Sequence, residues 1–450
     1  MSAPDPDLSR VEAALRPRWP ETRLEPSLDR IAALMHVLGD PQRNYPVIQL
    51  TGTNGKTSTA RMIDELLRGF GLRVGRFTSP HLATINERIS VDGRPIAATR
   101  FAEVYDDLAP YLPLVDEQQP IALSIFEVLT AMGYVAFADT PVDVAVVEVG
   151  LGGSWDSTSV ADAQVAVVTP IALDHMNYLG GTVELIAAEK SGIIKAGATA
   201  ILALQPPEAI DVLLRRTVEV SATVAREGAE FGVVDRRVAL GGQLLSLQGL
   251  GGVYDETFLP LHGAHQAQNA VVALAAVEAF FGAGAQGRID VDTVRSAFAS
   301  VRSPGRLEAV RSAPTVLLDA AHNPAGMQAT IAALGEAFDF RRLVVVLGCM
   351  GDKDVRAMLE LLEPVADEVI ATQNSLARSM PADDLAALAV DVFGADRVTV
   401  ETRLDDALDA AVRLAEEDAA IAGTLSGAGI LVTGSVVTVG EARVLLGGRG

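Results

Sequence analysis

The sequence has one cysteine, Cys349, so no disulfide can form within the chain. Cys349 is predicted to be a small buried residue at a strand end and not a nucleophile. No uncharged apolar stretch reaches the roughly 18 residues that a membrane-spanning helix requires. The first residues, MSAPDPDLSR, lack the basic start and the apolar run of a signal peptide. These absences predict a cytoplasmic protein that does not contact membranes.

Basic residues are too few to balance the acidic ones, and the formal net charge is −22. Such a surface repels phosphate backbones, which argues against nucleic-acid binding. It does not forbid small anionic ligands, because a local group of cations and amide N–H groups can override the overall field. With 49% hydrophobic and 21% charged residues, the 450-residue chain is predicted to be ordered, with two or three domains.

Short β-branched runs alternate with helical patterns along the chain, and this rhythm is typical of βαβ units. In the first part, strands are predicted at 46–50, 73–77, 142–149, 163–169 and 198–204. The predicted fold class is α/β, with two domains, each a three-layer, mainly parallel, doubly wound sheet. The Gly-rich stretch 231–261 is predicted to be an antiparallel hairpin attached to the first domain.

A change of pattern near residue 302 predicts a domain boundary. Turn residues occupy 302–306 after a predicted helix at 291–300, and the alternation of strands and helices then begins again. The predicted domains are 1–301, which carries a phosphate-binding loop, and a smaller Rossmann-like domain at 302–450.

The strongest local motif is TGTNGKTS at 51–58, between a predicted strand and a predicted helix. Backbone N–H groups and the helix N-terminus would cradle phosphate oxygens, with Lys56 supplying a cation. The Thr57 hydroxyl can reach a phosphate or Mg²⁺. Only two residues separate Gly52 from Gly55, fewer than in the usual phosphate-binding loop. The alternative is a simple glycine turn.

Ser79, Glu148 and His175 each lie at or just after the end of a predicted strand. Open α/β sheets bind ligands at this edge, so the three side chains together favour a metal–nucleotide site. Singly, they can also be a turn serine, a salt-bridged glutamate and a core-capping histidine. From its spacing alone, Lys190 is predicted to be an exposed lysine on a helix.

Four polar residues of the second half are further candidates. Asn269 can bind adenine or cap a helix, and Arg306 can clamp phosphates at the domain junction. Asp319, at a strand end, is a candidate to bind a ribose hydroxyl, and His322 is a candidate to bind a phosphate or an incoming amine. The alternative for this segment is an ordinary strand-to-helix turn with Asn323 as N-cap.

In order, these segments resemble the folylpolyglutamate synthase/dihydrofolate synthase family, a branch of the Mur-type ligases. The resemblance spans about residues 25–440. The matching segments are TGTNGKTS (51–58), SPHL (79–82), FEVLTAM (126–132), EVGLGG (148–153), ALDHMNYLG (172–180), EKSGIIK (189–195), HQAQNA (265–270), PGRLE (304–308), DAAHNP (319–324) and GCMGDKD (348–354).

The resemblance implies roles for residues at matching positions. ATP would be bound by Thr53, Asn54, Gly55, Lys56, Thr57, Ser58, Asn269, Arg306 and Asp319. Metal ions would be held by Thr57, Ser79, Glu148, His175 and a carbamylated Lys190. The residues with catalytic roles would be Lys56, Glu148, His175, Lys190 and His322. The pterin pocket would be lined by Ser27, Ser124, Ile125, Phe126, Glu127, Trp155, Asp156 and Ser157.

The implied activity is ATP-dependent addition of L-glutamate to a tetrahydrofolate (poly)glutamate, and also to dihydropteroate, through an acyl phosphate. The implied cofactors are ATP, Mg²⁺ at two sites and the carbamylated lysine, with K⁺ as a candidate ion. The implied state is a monomer, and the second domain would be the glutamate ligase domain. One departure concerns the pterin pocket: family members often have Arg-Leu-Asp-Ala where this chain has Ser-Trp-Asp-Ser at 154–157.

Two other functions remain as alternatives. One is a Mur-type ligase for a peptidoglycan precursor, although little sequence precedes the phosphate loop here. The other is a nucleotide-binding switch protein without ligase activity. Arg378, Ser379 and Ser435 are candidates for binding free glutamate.

Overall fold

The computed structural model describes residues 5–20, 25–284, 287–422 and 427–447. Its first sheet has eight strands, which in chain order are β1 (Val47–Thr51), β2 (Val74–Phe77), β3 (Ile89–Val91), β4 (Arg94–Pro95), β5 (Val144–Glu148), β6 (Val165–Val168), β7 (Thr199–Leu202) and β8 (Thr223–Arg226). Their order across the sheet is β4-β3-β2-β5-β1-β6-β7-β8. From β2 to β8 all neighbours are parallel, whereas β3 and β4 are antiparallel additions at one edge.

Helices cover both faces of this sheet. They are α1 (Pro6–Leu15), α2 (Asp29–Val37), α3 (Lys56–Gly69), α4 (Ala98–Leu108), α5 (Leu112–Asp116), α6 (Ile125–Asp139), α7 (Met176–Leu179), α8 (Val183–Lys190), α9 (Pro207–Glu219), α10 (Ala264–Phe280) and α11 (Val291–Ser300). One core packs α3, α10 and α11 against β1, β5 and β6. On the other face, α1, α2, α4 and α6 cover β5 and β1, and α8 and α9 cover β6 and β7. Both faces are buried over the central strands, so β5 (VAVVE) and β6 (VAVV) are almost entirely apolar.

The segment predicted as a hairpin is instead a three-stranded antiparallel sheet. Its strands are β9 (Gly232–Ala239), β10 (Gly242–Gln248) and β11 (Val253–Leu259), in the order β11-β10-β9. The second turn is held by the buried carboxylate of Glu278 on α10, which accepts hydrogen bonds from the backbone N–H groups of Leu250 and Gly251. The hairpin prediction was wrong in strand number because this turn depends on a distant side chain.

The second sheet has six strands: β12 (Glu308–Ser312), β13 (Thr315–Leu318), β14 (Arg342–Leu347), β15 (Glu368–Ala371), β16 (Val398–Val400) and β17 (Ala428–Thr433). They lie in the order β12-β13-β17-β14-β15-β16, and only β12 is antiparallel to its neighbour. The helices are α12 (Pro324–Ala337), α13 (Val355–Leu362), α14 (Ala382–Phe393), α15 (Leu404–Ala422) and α16 (Val436–Leu445). The first three cover one face, and α15 and α16 the other.

The predicted fold class is therefore confirmed: two mainly parallel sheets, each between two helical layers. The division at residue 302 falls in the connection between α11 and β12 and stays a prediction. No helix among the described residues is both long enough and apolar enough to cross a bilayer.

Candidate active site

The phosphate-binding loop connects β1 to α3, and its two glycines are required by close contacts. Gly52 and Gly55 have φ angles of 143° and 89°. A Cβ atom on Gly55 would lie 2.5 Å from Oδ1 of Asn269, and one on Gly52 would lie 1.9 Å from Oγ1 of Thr169. Only glycine fits these positions, and Asn269 is thereby placed directly against the loop.

Lys56, the first residue of α3, folds back over the loop. Its Nζ atom donates to the carbonyls of Gly52 at 2.9 Å and Thr53 at 3.1 Å. Burial lowers the pKa of Lys56, while Glu148 and Asp174 oppose that shift. The lysine is thus a sheltered cation held inside the turn where phosphate oxygens would lie.

The other predicted loop residues bind neighbours on both sides. Thr53 exchanges hydrogen bonds of 3.0 Å with the backbone of Ala172, which follows β6. The buried Ser58 hydroxyl lies 3.1 Å from that of Ser303, near the domain junction. Asn54 is paired across the cleft with Asn323, so the loop bridges the two sheets.

Glu148 ends β5 and is only 1% exposed. Its carboxylate accepts from the Thr57 hydroxyl at 2.8 and 3.0 Å, and from the backbone N–H of Ser79. Burial raises the pKa of Glu148, and the nearby Lys56 ammonium counteracts part of this rise. The phosphate loop, the segment after β2 and the end of β5 therefore meet at one carboxylate, as their strand-end positions predicted.

His175 and Lys190 lie in the first domain near the same sheet edge. Burial lowers the pKa of His175 to about 4, so its imidazole is neutral at neutral pH. Lys190, the last residue of α8, is 3% exposed, so the reading of an exposed helix lysine was wrong. The spacing could not show that the segment after Gly153 closes over this helix end, where a Cβ on Gly153 would lie 2.7 Å from the carbonyl of Lys190.

A charged cluster joins the two sheets around Asp174, which the sequence reasoning did not single out. Lys353 Nζ lies 2.6 Å from Oδ1 of Asp174, and Asn323 Nδ2 donates to Oδ2 at 3.1 Å. His322 Nε2 lies 3.8 Å from the same oxygen. Burial works to raise the pKa of Asp174, but His175, Lys353 and His322 together lower it well below its usual range. From the sequence alone, Lys353 could be recognised only as a charged residue in a loop that follows a strand.

The remaining nucleotide candidates, Arg306 and Asp319, make their hydrogen bonds within the second domain, as does the neighbouring helix cap. Asn323 caps α12, accepting from Gly326 N–H at 2.8 Å, so the N-cap reading is confirmed. Asp319 is already engaged: it accepts from the backbone of Leu307 and Ala321 and from the Thr330 hydroxyl. Arg306 donates to the carbonyl of Gly305 at 3.0 Å.

Several predicted pterin-pocket residues make internal contacts. Ser124 and Glu127 form a capping box at the start of α6, and Glu127 also pairs with Arg30 at 2.9 Å. Buried Asp156 accepts from Leu151 N–H and from Thr158. The hydroxyl of Ser27 accepts from Asp29 N–H, just ahead of α2.

Phe126 packs closely against Gly150, where a Cβ would lie 2.5 Å from its ring. Ile125 begins α6, Trp155 is partly buried beside the core under α8, and Ser157 is buried. Ligand contact by this group stays a prediction.

Comparisons with known proteins agree with this geometry. Residues 115–277 match the model of the Mur ligase middle domain, and residues 305–435 match that of the Mur ligase glutamate ligase domain. A dihydrofolate synthase/folylpolyglutamate synthase of Mycobacterium tuberculosis is 53% identical, over 99% of this chain and 96% of its own length. The chain belongs to the folylpolyglutamate synthase/dihydrofolate synthase family of Mur ligases.

Solved structures of this family share the whole fold. The Mycobacterium tuberculosis folylpolyglutamate synthase complexed with ADP superposes with a TM-score of 0.94, at 52% identity and 99% coverage of both chains. E. coli FolC in complex with DHPP and ADP gives 0.83, at 28% identity and 98% coverage of both chains. Among the described residues, no three His, Cys, Asp or Glu side chains gather as a metal site.

Proposed function

We propose that this chain is an ATP-dependent ligase that adds L-glutamate to a tetrahydrofolate (poly)glutamate, and also to dihydropteroate. The observation that carries the proposal is the contact of Asp174 with Lys353 and Asn323, which brings the phosphate loop of the first domain against the strand ends of the second. The names of the relatives and the ADP and DHPP complexes of the solved structures support the same substrates. The domains proposed for the two substrates are 1–301 for ATP and folate and 302–450 for glutamate.

The chemistry needs a leaving group because a carboxylate is a poor acyl donor. The folate carboxylate attacks the γ-phosphorus of ATP, giving an acyl phosphate and ADP. The amine of glutamate then attacks the acyl carbon, phosphate departs, and the amine proton is lost. Lys56 offsets charge on the transferring phosphoryl group, and Asn54, Gly55, Asn269, Arg306 and Asp319 hold the nucleotide.

The residues around Glu148 fit a magnesium ion. Mg²⁺ prefers oxygen ligands and usually retains waters and phosphate oxygens. The Thr57 hydroxyl, the Ser79 segment and the Glu148 carboxylate meet at one point, and the carboxylate accepts from a hydroxyl and a backbone N–H group. Bound there, Mg²⁺ would neutralise negative charge on the phosphates.

His322 is proposed to receive the proton that the glutamate amine loses. Burial is the main cause that lowers the pKa of His322, so its ring is neutral at neutral pH. Its Nδ1 lies 2.9 Å from the carbonyl of Ala320, which orients Nε2 toward Asp174. The nearby carboxylate would stabilise the protonated ring.

A second metal site is proposed at His175 and a carbamylated Lys190. Burial, and then the Lys56 ammonium, lower the pKa of Lys190 to about 7. The neutral amine adds CO₂ and releases a proton, which leaves an anionic carbamate in place of a buried cation. The carbamate supplies oxygen ligands, and a metal ion bound there would offset the cost of burying its negative charge.

We expect carbamylation of Lys190 to rise with pH as the solution passes through about 7, because only the neutral amine reacts. NMR with isotope-labelled bicarbonate should show one carbamate signal that Lys190→Gln removes and Lys195→Gln retains. Lys195 is a suitable control because its ammonium caps the carbonyls of Ser159 and Ala161. A signal that persists in Lys190→Gln, or none at any pH, would refute the carbamate.

Product mass spectrometry tests the proposed function. The enzyme is incubated with ATP, Mg²⁺, L-glutamate and either dihydropteroate or a reduced folate. We expect a product heavier by one glutamyl residue from each acceptor, together with ADP and phosphate. Glutamate-dependent turnover of UDP-sugar precursors instead of folates would favour a peptidoglycan ligase. Nucleotide binding without any amide product would favour a switch protein.

The proposed pterin-pocket and glutamate-binding residues follow from the family resemblance and from their places in the fold. Ser27, Ser124–Glu127 and Trp155–Ser157 are proposed to line the pterin pocket, with Trp155 against the aryl ring. Arg378, Ser379 and Ser435 are proposed to bind glutamate. Ser379 accepts from Asn374 N–H, and Ser435 caps α16, both near the C-terminal ends of the second sheet's strands. A K⁺ ion, a monomeric state and a cytoplasmic location complete the proposal.

A further inference from the structure

The loop after β2 carries Ser79 and is held rigidly by Glu87. The Glu87 carboxylate accepts hydrogen bonds from the backbone N–H groups of Leu82 at 2.8 Å, Ala83 at 3.0 Å and Thr84 at 2.9 Å. At the start of the same loop, the Ser79 N–H donates to Glu148. A carboxylate that accepts from three consecutive amides fixes residues 82–84 as one unit, and this unit begins three residues after Ser79.

The tip of this loop, Leu82, is inserted into the second domain. Its side chain packs against the core between the second sheet and helices α15 and α16. A Cβ atom on Gly305 would lie 3.3 Å from Leu82 Cδ1. On α16, a Cβ atom on Gly440 would lie only 1.8 Å from the Leu82 carbonyl oxygen. Backbone therefore touches backbone across the domain junction, and only glycine permits this approach.

We propose that Leu82 is a positioning residue, and that its seat between Gly305 and Gly440 holds Ser79 beside Glu148 only while the two domains are docked. The metal–nucleotide site is then complete only when the second domain is in place to deliver glutamate. An acyl phosphate formed in the undocked enzyme would be exposed to water, and this coupling prevents its formation. The inference rests on the proposed function and adds the contact that links the domains to the metal site.

The decisive experiment compares two helical glycines of the second domain, Gly440→Ala and Gly335→Ala. Gly335 lies in α12 with nothing within 4 Å of an added Cβ, so alanine there should leave activity unchanged and raise the melting temperature slightly. Gly440→Ala has the same helix preference but drives a methyl group into Leu82. We expect kcat to fall about 100-fold, as for a misplacement of about 1 Å in a reacting site.

Calorimetric titration with ADP distinguishes a displacement of Ser79 from general damage to the fold. For Gly440→Ala we expect the affinity for ADP without Mg²⁺ to match wild type, while the gain in affinity on adding Mg²⁺ is lost. Equal losses with and without Mg²⁺, or wild-type kcat and Mg²⁺ dependence, would overturn the inference. If Gly440→Ala does not fold, Leu82→Ala is measured against Leu82→Met. Leu82→Ala should lose the Mg²⁺ effect and Leu82→Met, which conserves volume, should keep it.

Failure of the proposed function gives a different result. In that case wild type forms no glutamyl product from any folate, whereas the Mg²⁺ effect on ADP binding can still be compared between the glycine variants. If wild type is active and Gly440→Ala equals Gly335→Ala in every measurement, the proposed function stands and the role of Leu82 is refuted.

Discussion

Lys56→Met is expected to lower kcat about 1,000-fold, because one preorganised charge next to the transferring phosphoryl group is lost. Lys56 Nζ is held by the carbonyls of Gly52 and Thr53, so it is already placed for this task. Burial lowers the pKa of Lys56, so we expect the buried ammonium to cost free energy in the folded state. Removing it should therefore leave the melting temperature unchanged or higher. Steady-state kinetics of glutamate-dependent ADP release measure kcat, and calorimetry measures the melting temperature.

Lys195→Met provides the matched control. Lys195 also caps two backbone carbonyls, those of Ser159 and Ala161, and adds an ion pair with Asp162. Its loss should lower the free energy of unfolding by about 1 kcal/mol or less, and with it the melting temperature. We expect kcat to change by no more than about threefold, because Lys195 contacts Ser159, Ala161 and Asp162 and not the loop around Lys56. If Lys56→Met retains near-normal kcat, the phosphate loop is misassigned and the proposed mechanism fails with it.

Asp174→Asn is expected to lower the free energy of unfolding by about 3 kcal/mol, the typical cost of leaving one partner of a buried ion pair alone. The Asp174 and Lys353 side chains are 9% and 8% exposed, so solvent cannot replace the lost partner. Because Asp174 also contacts Asn323 and lies beside His322, we expect kcat to fall about 100-fold as well. Urea unfolding and steady-state kinetics measure the two effects.

An exposed ion pair of the second domain is the control for stability. Arg356 and Asp391 are 52% and 60% exposed, so Asp391→Asn should cost less than about 1 kcal/mol. The double variant Asp174→Asn/Lys353→Met should recover part of the stability, because the uncompensated ammonium is gone. Additive losses in this cycle would show that the two charges do not stabilise each other.

The pH dependence of the Asp174→Asn effect has a defined sign. The folded-state pKa of Asp174 lies below its usual value, so the ion pair's contribution is fully present above the unfolded pKa of about 4. It is lost as the pH falls through the lowered folded-state pKa. The difference in stability between wild type and Asp174→Asn should therefore shrink in acid, and a difference that grows there would contradict this ion pair.

Strand and helix positions could be predicted closely because periodicity and turn residues are local signals. The predicted helix at 291–300 coincides with α11, and the predicted strand at 73–77 contains β2. The region 231–261 was predicted less well, since its third strand depends on Glu278 holding the turn at Leu250 and Gly251. A contact that distant in sequence leaves no local pattern.

The candidate site was predicted in part. Glu148 and the Ser79 segment lie together because the carboxyl ends of parallel strands share one sheet edge, a rule that needs only the strand assignment. Asp174 and Lys353 were missed, since their pairing depends on how two separate sheets face each other. The burial of Lys190 was missed by spacing for the same reason, because a loop from another strand covers the helix end.

The sequence by itself determined two doubly wound α/β sheets, a glycine turn around Lys56 and membership in a ligase family, because periodicity, glycine placement and motif order are written along the chain. Only the tertiary structure decided which charges meet across the domains and that Leu82 reaches the backbone of Gly440. Such contacts depend on the relative placement of the two sheets, and the free energy of that placement is summed over many residues far apart in sequence.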